Sequence, residues 1–114
     1  MLKPVQVRAA AEKLEERLGL DSLWLYGPAL QGRGARRSDL TLAALFRRPP
    51  RGMEVLEATL DLATVLRRNI DLVDLERAAP ALALDVLRNG QLLVDRNPER
   101  RAALLQKTES RFAT

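Results

Sequence analysis

Residues 25–46 read LYGPALQGRGARRSDLTLAALF, and this stretch decides the fold. The apolar residues within 22–26 predict a short buried strand, because such runs next to turn residues are typical of sheet cores. Three glycines within residues 27–34 predict a tight turn and a loop directly after that strand. Residues 38–46 predict a second strand, with four apolar positions at its end buried on both faces. The stretch therefore predicts two strands joined by a glycine-containing loop.

Helices and strands alternate on both sides of this stretch. Apolar residues that recur every three to four positions, such as Leu56 and Leu60, predict four helices over residues 4–18, 53–68, 80–88 and 98–112. Gly19 is predicted to end the first helix and Asn97 to cap the start of the last. Short apolar runs predict four strands, over residues 22–26, 38–46, 70–75 and 91–94. The order predicts an α/β (α+β) fold in which helices flank a small mixed sheet. The length predicts a single domain over residues 1–114.

The composition excludes several kinds of chemistry. The chain contains no cysteine and no histidine, which rules out disulfides, zinc ribbons, thiol catalysis and histidine acid–base catalysis. Any chemistry must therefore use carboxylates, hydroxyls, arginine, lysine or a metal ion bound by oxygen. The net charge is +4, and sixteen of the 19 basic residues are arginines. We favour surface solubility over phosphate recognition as the role of these arginines.

The N-terminal residues begin a helical pattern, not the apolar run of a secretory leader. No apolar stretch approaches the length of a membrane-spanning helix. The sequence therefore predicts a cytoplasmic protein that does not enter a membrane.

Two acidic residues on predicted strands are candidates for chemistry. Asp39 and Thr41 project from one face of their strand, where a carboxylate is held rigidly enough to bind a metal; a turn or cap role for Asp39 is the ordinary alternative. Asp71 lies in an otherwise apolar strand, where a buried charge needs a metal ion or an arginine. An edge position facing water is an equal alternative for Asp71. The glycine loop offers backbone N–H groups to an anion, although most such turns bind nothing.

Three segments together resemble the minimal nucleotidyltransferases of the polymerase-β-like superfamily: residues 25–32, residues 38–42 and residues 70–75. That family has Gly-Ser-x-x-x-Gly after a strand, Ser-Asp-x-Asp-Leu on the next strand and an Asp on a third. The resemblance covers nearly the whole chain and implies the nucleotidyltransferase fold. It also implies transfer of a nucleoside monophosphate from a triphosphate such as ATP, with carboxylates that hold Mg²⁺.

Carried over residue by residue, the resemblance implies a site on two retained acids and a loop. The implied catalytic and metal-binding residues are Asp39 and Asp71. The implied nucleotide-binding residues are Gly27, Gly32, Arg33 and Ser38.

Two positions depart from the family pattern. Pro28 stands where the family has serine, so that a hydroxyl and a backbone N–H are both missing. Thr41 stands where the family has its second aspartate, and a neutral hydroxyl is a poor ligand for a hard dication. Asp39 and Asp71 suffice for one weakly held Mg²⁺ but not for a catalytic pair.

Three functions compete. The first is a degenerate nucleotidyltransferase that neutralises a HEPN-type ribonuclease toxin by binding it, which the family's usual partner implies. The second is an active Mg²⁺-dependent enzyme that transfers AMP from ATP to a partner protein. The third is a basic adaptor for nucleic acid, which the scarcity of aromatic residues disfavours. A homodimer remains open, because small domains often bury an apolar face by self-association.

Overall fold

The computed structural model describes residues 2–27 and 39–112, with the backbone alone at Asp39. The described residues form four helices and four strands. The helices are α1 (Pro4–Leu18), α2 (Glu54–Leu66), α3 (Pro80–Asn89) and α4 (Pro98–Ser110). The strands are β1 (Leu20–Tyr26), β2 (Asp39–Phe46), β3 (Asn69–Asp74) and β4 (Gln91–Asp95). The predicted order of elements is confirmed.

The four strands form one mixed sheet in the order β3-β2-β1-β4. Strand β1 pairs antiparallel with both β2 and β4, whereas β2 and β3 are parallel. Parallel neighbours need a crossover connection, and α2 supplies it. As a result the end of β1 and the starts of β2 and β3 lie at the same end of the strands, which we call the site end.

Helices cover both faces of the sheet. Leu14 of α1 and Leu62 of α2 pack with Leu23 and Leu42 of the sheet in one apolar cluster. On the other face Trp24 packs with residues of β2 and α3 in a second cluster. Strand β2 is buried at every position from Leu42 to Phe46, as its apolar sequence predicts. No described helix is long and apolar enough to cross a membrane.

Several predicted boundaries differ from the structure by one or two residues, and two of these differences have clear local reasons. Strand β1 begins at Leu20, two residues earlier than predicted, because Leu20 is buried and pairs with Phe46. Helix α2 ends at Leu66 because Arg67 adopts a left-handed conformation (φ 54°, ψ 44°) and donates its N–H to a carbonyl of the last turn. Asn69 is consequently the first residue of β3. A left-handed arginine is uncommon, and the sequence contains no glycine there to indicate the helix end.

Two predicted helix caps are confirmed. Gly19 ends α1 with φ 72°, a conformation that favours glycine, and its N–H donates to the Glu15 carbonyl. The Asn97 side chain accepts a hydrogen bond from the Arg100 N–H at 3.1 Å, which caps the start of α4.

Candidate active site

Three neighbouring strands bring one row of residues to the site end. Tyr26 at the end of β1 pairs with Thr41 of β2, and Thr41 pairs in turn with Asp71 of β3. Paired residues on adjacent strands lie about 5 Å apart. The register therefore places Asp71 beside Thr41, the position where the family pattern has its second aspartate.

Gly27 directly follows β1. The resemblance to the family implies that it is a nucleotide-binding residue. Its backbone has φ 87°, which L side chains rarely adopt. A Cβ atom at Gly27 would lie 3.6 Å from Thr41 Oγ1. Space alone would admit alanine at that distance, so the positive φ is the reason for glycine. The Gly27 backbone therefore lies beside the Thr41 side chain.

Several predicted site residues cannot be placed. Pro28, Gly32, Arg33 and Ser38 lie outside the described residues. Asp39 is described by its backbone, which begins β2 and pairs with Asn69. The structure therefore brings Gly27, Thr41 and Asp71 together and places the Asp39 backbone two residues before Thr41. The roles of the unplaced residues remain predictions.

Asp71 is exposed on β3, which is an edge strand of the sheet. It lines an open surface depression of about 280 Å³ together with Thr41, Asn69 and two apolar neighbours. The sequence left two interpretations of Asp71: a buried charge that needs a partner, or an edge position that faces water. The structure agrees with the second. No buried charge requires a partner there, and the carboxylate is accessible to a ligand from solvent.

The described residues supply no substitute for the missing carboxylate. Asp74 lies at the other end of β3, where burial raises the pKa of its carboxyl and the Arg77 Nε lies 3.7 Å from Oδ2. Glu54 accepts hydrogen bonds from the Arg48 guanidinium. Within residues 2–27 and 40–112, no three acidic side chains are grouped so that they could hold a metal ion. Of the two acids that the resemblance implies as metal ligands, Asp71 is the one whose side chain the structure describes, and a Mg²⁺ site on Asp39 and Asp71 stays a prediction.

A hydrogen-bonded group beside the site end was not predicted from the sequence. The Tyr26 hydroxyl donates to Asp85 of α3, and Asn89 Nδ2 donates to the other Asp85 oxygen at 2.6 Å. These two hydrogen bonds hold the pKa of the Asp85 carboxyl below its usual range. They join the end of β1 to α3 and so fix the strand end that leads into Gly27. Asp85 and Asn89 share a face of α3, and this spacing is the feature of the sequence that could have predicted their contact.

Arginines gather in ion pairs at the opposite end of the sheet. Arg100 donates to the buried Asp21 at 2.8 Å and to the Phe46 carbonyl at 2.6 Å. Glu15 accepts from Arg47 and Arg96, and these contacts, with a backbone N–H, lower the pKa of Glu15 to about 2. Eight described arginines form ion pairs: Arg17, Arg47, Arg48, Arg77, Arg88, Arg96, Arg100 and Arg101. Many of the arginines therefore form ion pairs within the fold and at its surface.

The strand order, the positive φ of Gly27 and the Thr41–Asp71 register together are those of a protein of the nucleotidyltransferase fold. Residues 9–99 match the family described as polymerase beta, nucleotidyltransferase. The chain belongs to that family. No curated protein matches the sequence significantly.

Solved structures are similar over nearly the whole chain. A chain from the crystal structure of a toxin–antitoxin with AMP-PNP has a TM-score of 0.81 and 26% identity, covering 97% of this chain and 87% of that one. A chain from the toxin–antitoxin MntA-HepT has a TM-score of 0.78 and 22% identity, covering 96% and 86%. A chain from the tri-AMPylated Shewanella oneidensis HEPN toxin in complex with MNT antitoxin has a TM-score of 0.78 and 22% identity, covering 97% and 87%. The predicted fold is confirmed.

Proposed function

We propose that this chain is the antitoxin-like partner of a HEPN-domain toxin and that it neutralises the toxin by binding. One observation carries the proposal: the neutral Thr41 pairs with Asp71 in a chain whose family uses a carboxylate there. A site that has lost a metal ligand transfers nucleotides poorly, whereas its outer surface remains available to a partner. The same proposal places the protein in the cytoplasm.

The likeness to toxin–antitoxin structures supports the choice of partner. The matched chain in the structure with AMP-PNP is 26% identical to this one over almost its entire length. Its description names a toxin–antitoxin, and two further similar structures are described as MntA-HepT and as a HEPN toxin with an MNT antitoxin. A helical toxin of this kind is the partner that we propose.

An active enzyme is the second candidate function, and specific observations favour it. Asp71 is accessible at the site end, Asp39 is retained in the sequence, and one similar structure contains an AMPylated toxin. In such an enzyme Asp39 and Asp71 would hold Mg²⁺, and the metal would neutralise charge on a bound ATP. Gly27 would present its backbone to the nucleotide in the same site.

The two candidate functions differ in whether label is transferred from α-labelled ATP to the partner protein. We expect this chain to copurify with the HEPN-domain protein of the same organism and to transfer no label to it from α-labelled ATP and Mg²⁺. The control is the same incubation with Asp39→Ala, which should give an indistinguishable background. Mg²⁺-dependent labelling that disappears in Asp39→Ala would establish the enzyme instead. Absence of a complex would contradict the antitoxin role.

A further inference from the structure

Helix α2 carries apolar residues on two opposite sides. Ala58, Leu62 and Leu66 point inward and are buried against the sheet. Met53, Leu56 and Leu60 lie on the outward side and are 64%, 47% and 58% exposed. Their spacing of three and four residues puts them in one line along the helix. We call these three residues the α2 stripe.

An outward apolar line is unusual on a surface helix. Such helices normally turn charged or polar residues to solvent, as α1 does with Arg8, Glu12 and Glu16. Single exposed apolar residues are ordinary, but a contiguous row marks an interaction site. No element among the described residues covers the α2 stripe. A contiguous exposed row of this kind is a candidate interaction surface.

The α2 stripe leads to the site end. Leu60 lines a surface depression with Ala63, Thr64 and the Arg67–Asn69 segment. Asn69 also lines the depression that contains Thr41 and Asp71. A molecule seated on the α2 stripe would thus reach the rim of the candidate active site.

Charge distinguishes a foreign partner from a second copy. The net charge of +4 favours the approach of an acidic partner over that of a second copy, while beside the stripe an exposed acid, Glu57, and an exposed arginine, Arg67, are both present. Arg67 is exposed at the end of the stripe, so its charge is accessible to a partner. The stripe runs from residue 53 to residue 60, a rise of about 10 Å, which suits a helix laid alongside it.

We propose that the α2 stripe is the docking surface for an amphipathic helix of the partner protein, with an acidic side chain of that helix against Arg67. The assignment rests on the proposed antitoxin function and adds the surface through which it acts. The partner's apolar residues pack on Leu56 and Leu60, while the acidic residue fixes the direction of the helix.

The test measures binding of the purified HEPN-domain protein to three variants. Leu56→Glu and Leu60→Glu each put a charge into the apolar contact and should weaken binding at least tenfold. Arg67→Glu should weaken binding as well, and more at low salt than at high salt. The matched control is Val5→Glu, because Val5 is 59% exposed on α1 and should leave binding unchanged. All four substitutions are on exposed side chains, so melting temperatures should stay close to that of the wild type.

The possible failures are distinguishable. Wild-type binding that neither Leu56→Glu nor Leu60→Glu weakens would overturn the α2 assignment and leave the antitoxin function standing. A wild-type chain that does not bind the HEPN-domain protein at all would overturn both. Sedimentation of the isolated chain should show a monomer. A dimer that Leu60→Glu dissociates would assign the stripe to a second copy instead.

Discussion

Replacing Thr41 with aspartate, together with Pro28→Ser, is expected to strengthen Mg²⁺-dependent nucleotide binding by this chain. The register puts residue 41 beside Asp71 on the neighbouring strand. Two carboxylates at that distance repel each other without a cation and bind one when it is present. The serine at position 28 adds a hydroxyl and a backbone N–H for phosphate. We expect MgATP to bind the double variant at least tenfold more tightly, about 1.4 kcal/mol.

Thermal unfolding with and without Mg²⁺ gives a second measurement of this change. Thr41→Asp alone should melt below the wild type in chelator and gain stability with Mg²⁺, by about 2.7 kcal/mol at a hundred times the dissociation constant. Thr41→Asn is the matched control, because it has the same shape as aspartate without the charge. A folded Thr41→Asp variant that responds to Mg²⁺ no more than Thr41→Asn would show that residue 41 does not face a metal site.

Replacing Trp24 with alanine is expected to remove about 3–5 kcal/mol of unfolding free energy. Trp24 is 2% exposed on the central strand β1 and is the largest side chain of the cluster between the sheet and α3. Domains of this size are stable by about 5–15 kcal/mol, so the loss is a large part of the total. The melting temperature should fall by more than about 10 °C.

Two controls separate burial of Trp24 from a general effect of substitution on strands. Trp24→Phe keeps an aromatic ring in the cluster and should lose less stability. Leu92→Ala lies opposite Trp24 on β4 but is 39% exposed, and we expect a loss below about 1 kcal/mol. A melting temperature of Trp24→Ala close to that of Leu92→Ala would contradict the described packing of α3 on the sheet.

The local features of this fold could be predicted from the sequence. The burial of residues 42–46 in β2, the glycine that ends α1 and the asparagine that caps α4 each depend on neighbouring residues, and all three are confirmed. The match of Gly27, Asp39 and Asp71 to a family pattern also predicted the nucleotidyltransferase fold.

Features that depend on distant residues could not be predicted. The periodicity that identifies α2 runs through Leu56 and Leu60, yet these residues face outward, because a helix with two apolar stripes does not reveal which one meets the sheet. The contact of Tyr26 with Asp85 joins residues 59 apart in the sequence. The exposure of Asp71 depends on β3 being an edge strand, which follows from the strand order alone.

The proposed antitoxin function requires that this chain neutralise a HEPN-domain toxin by binding, without chemistry on Asp39 and Asp71. Its most direct test is growth of cells that express the toxin together with the double variant Asp39→Ala/Asp71→Ala. Asp71 is exposed and Asp39 begins a strand, so the variant should fold and accumulate like the wild type. We expect these cells to grow as well as cells with the wild-type chain. Growth arrest in the presence of a folded and abundant double variant would contradict it.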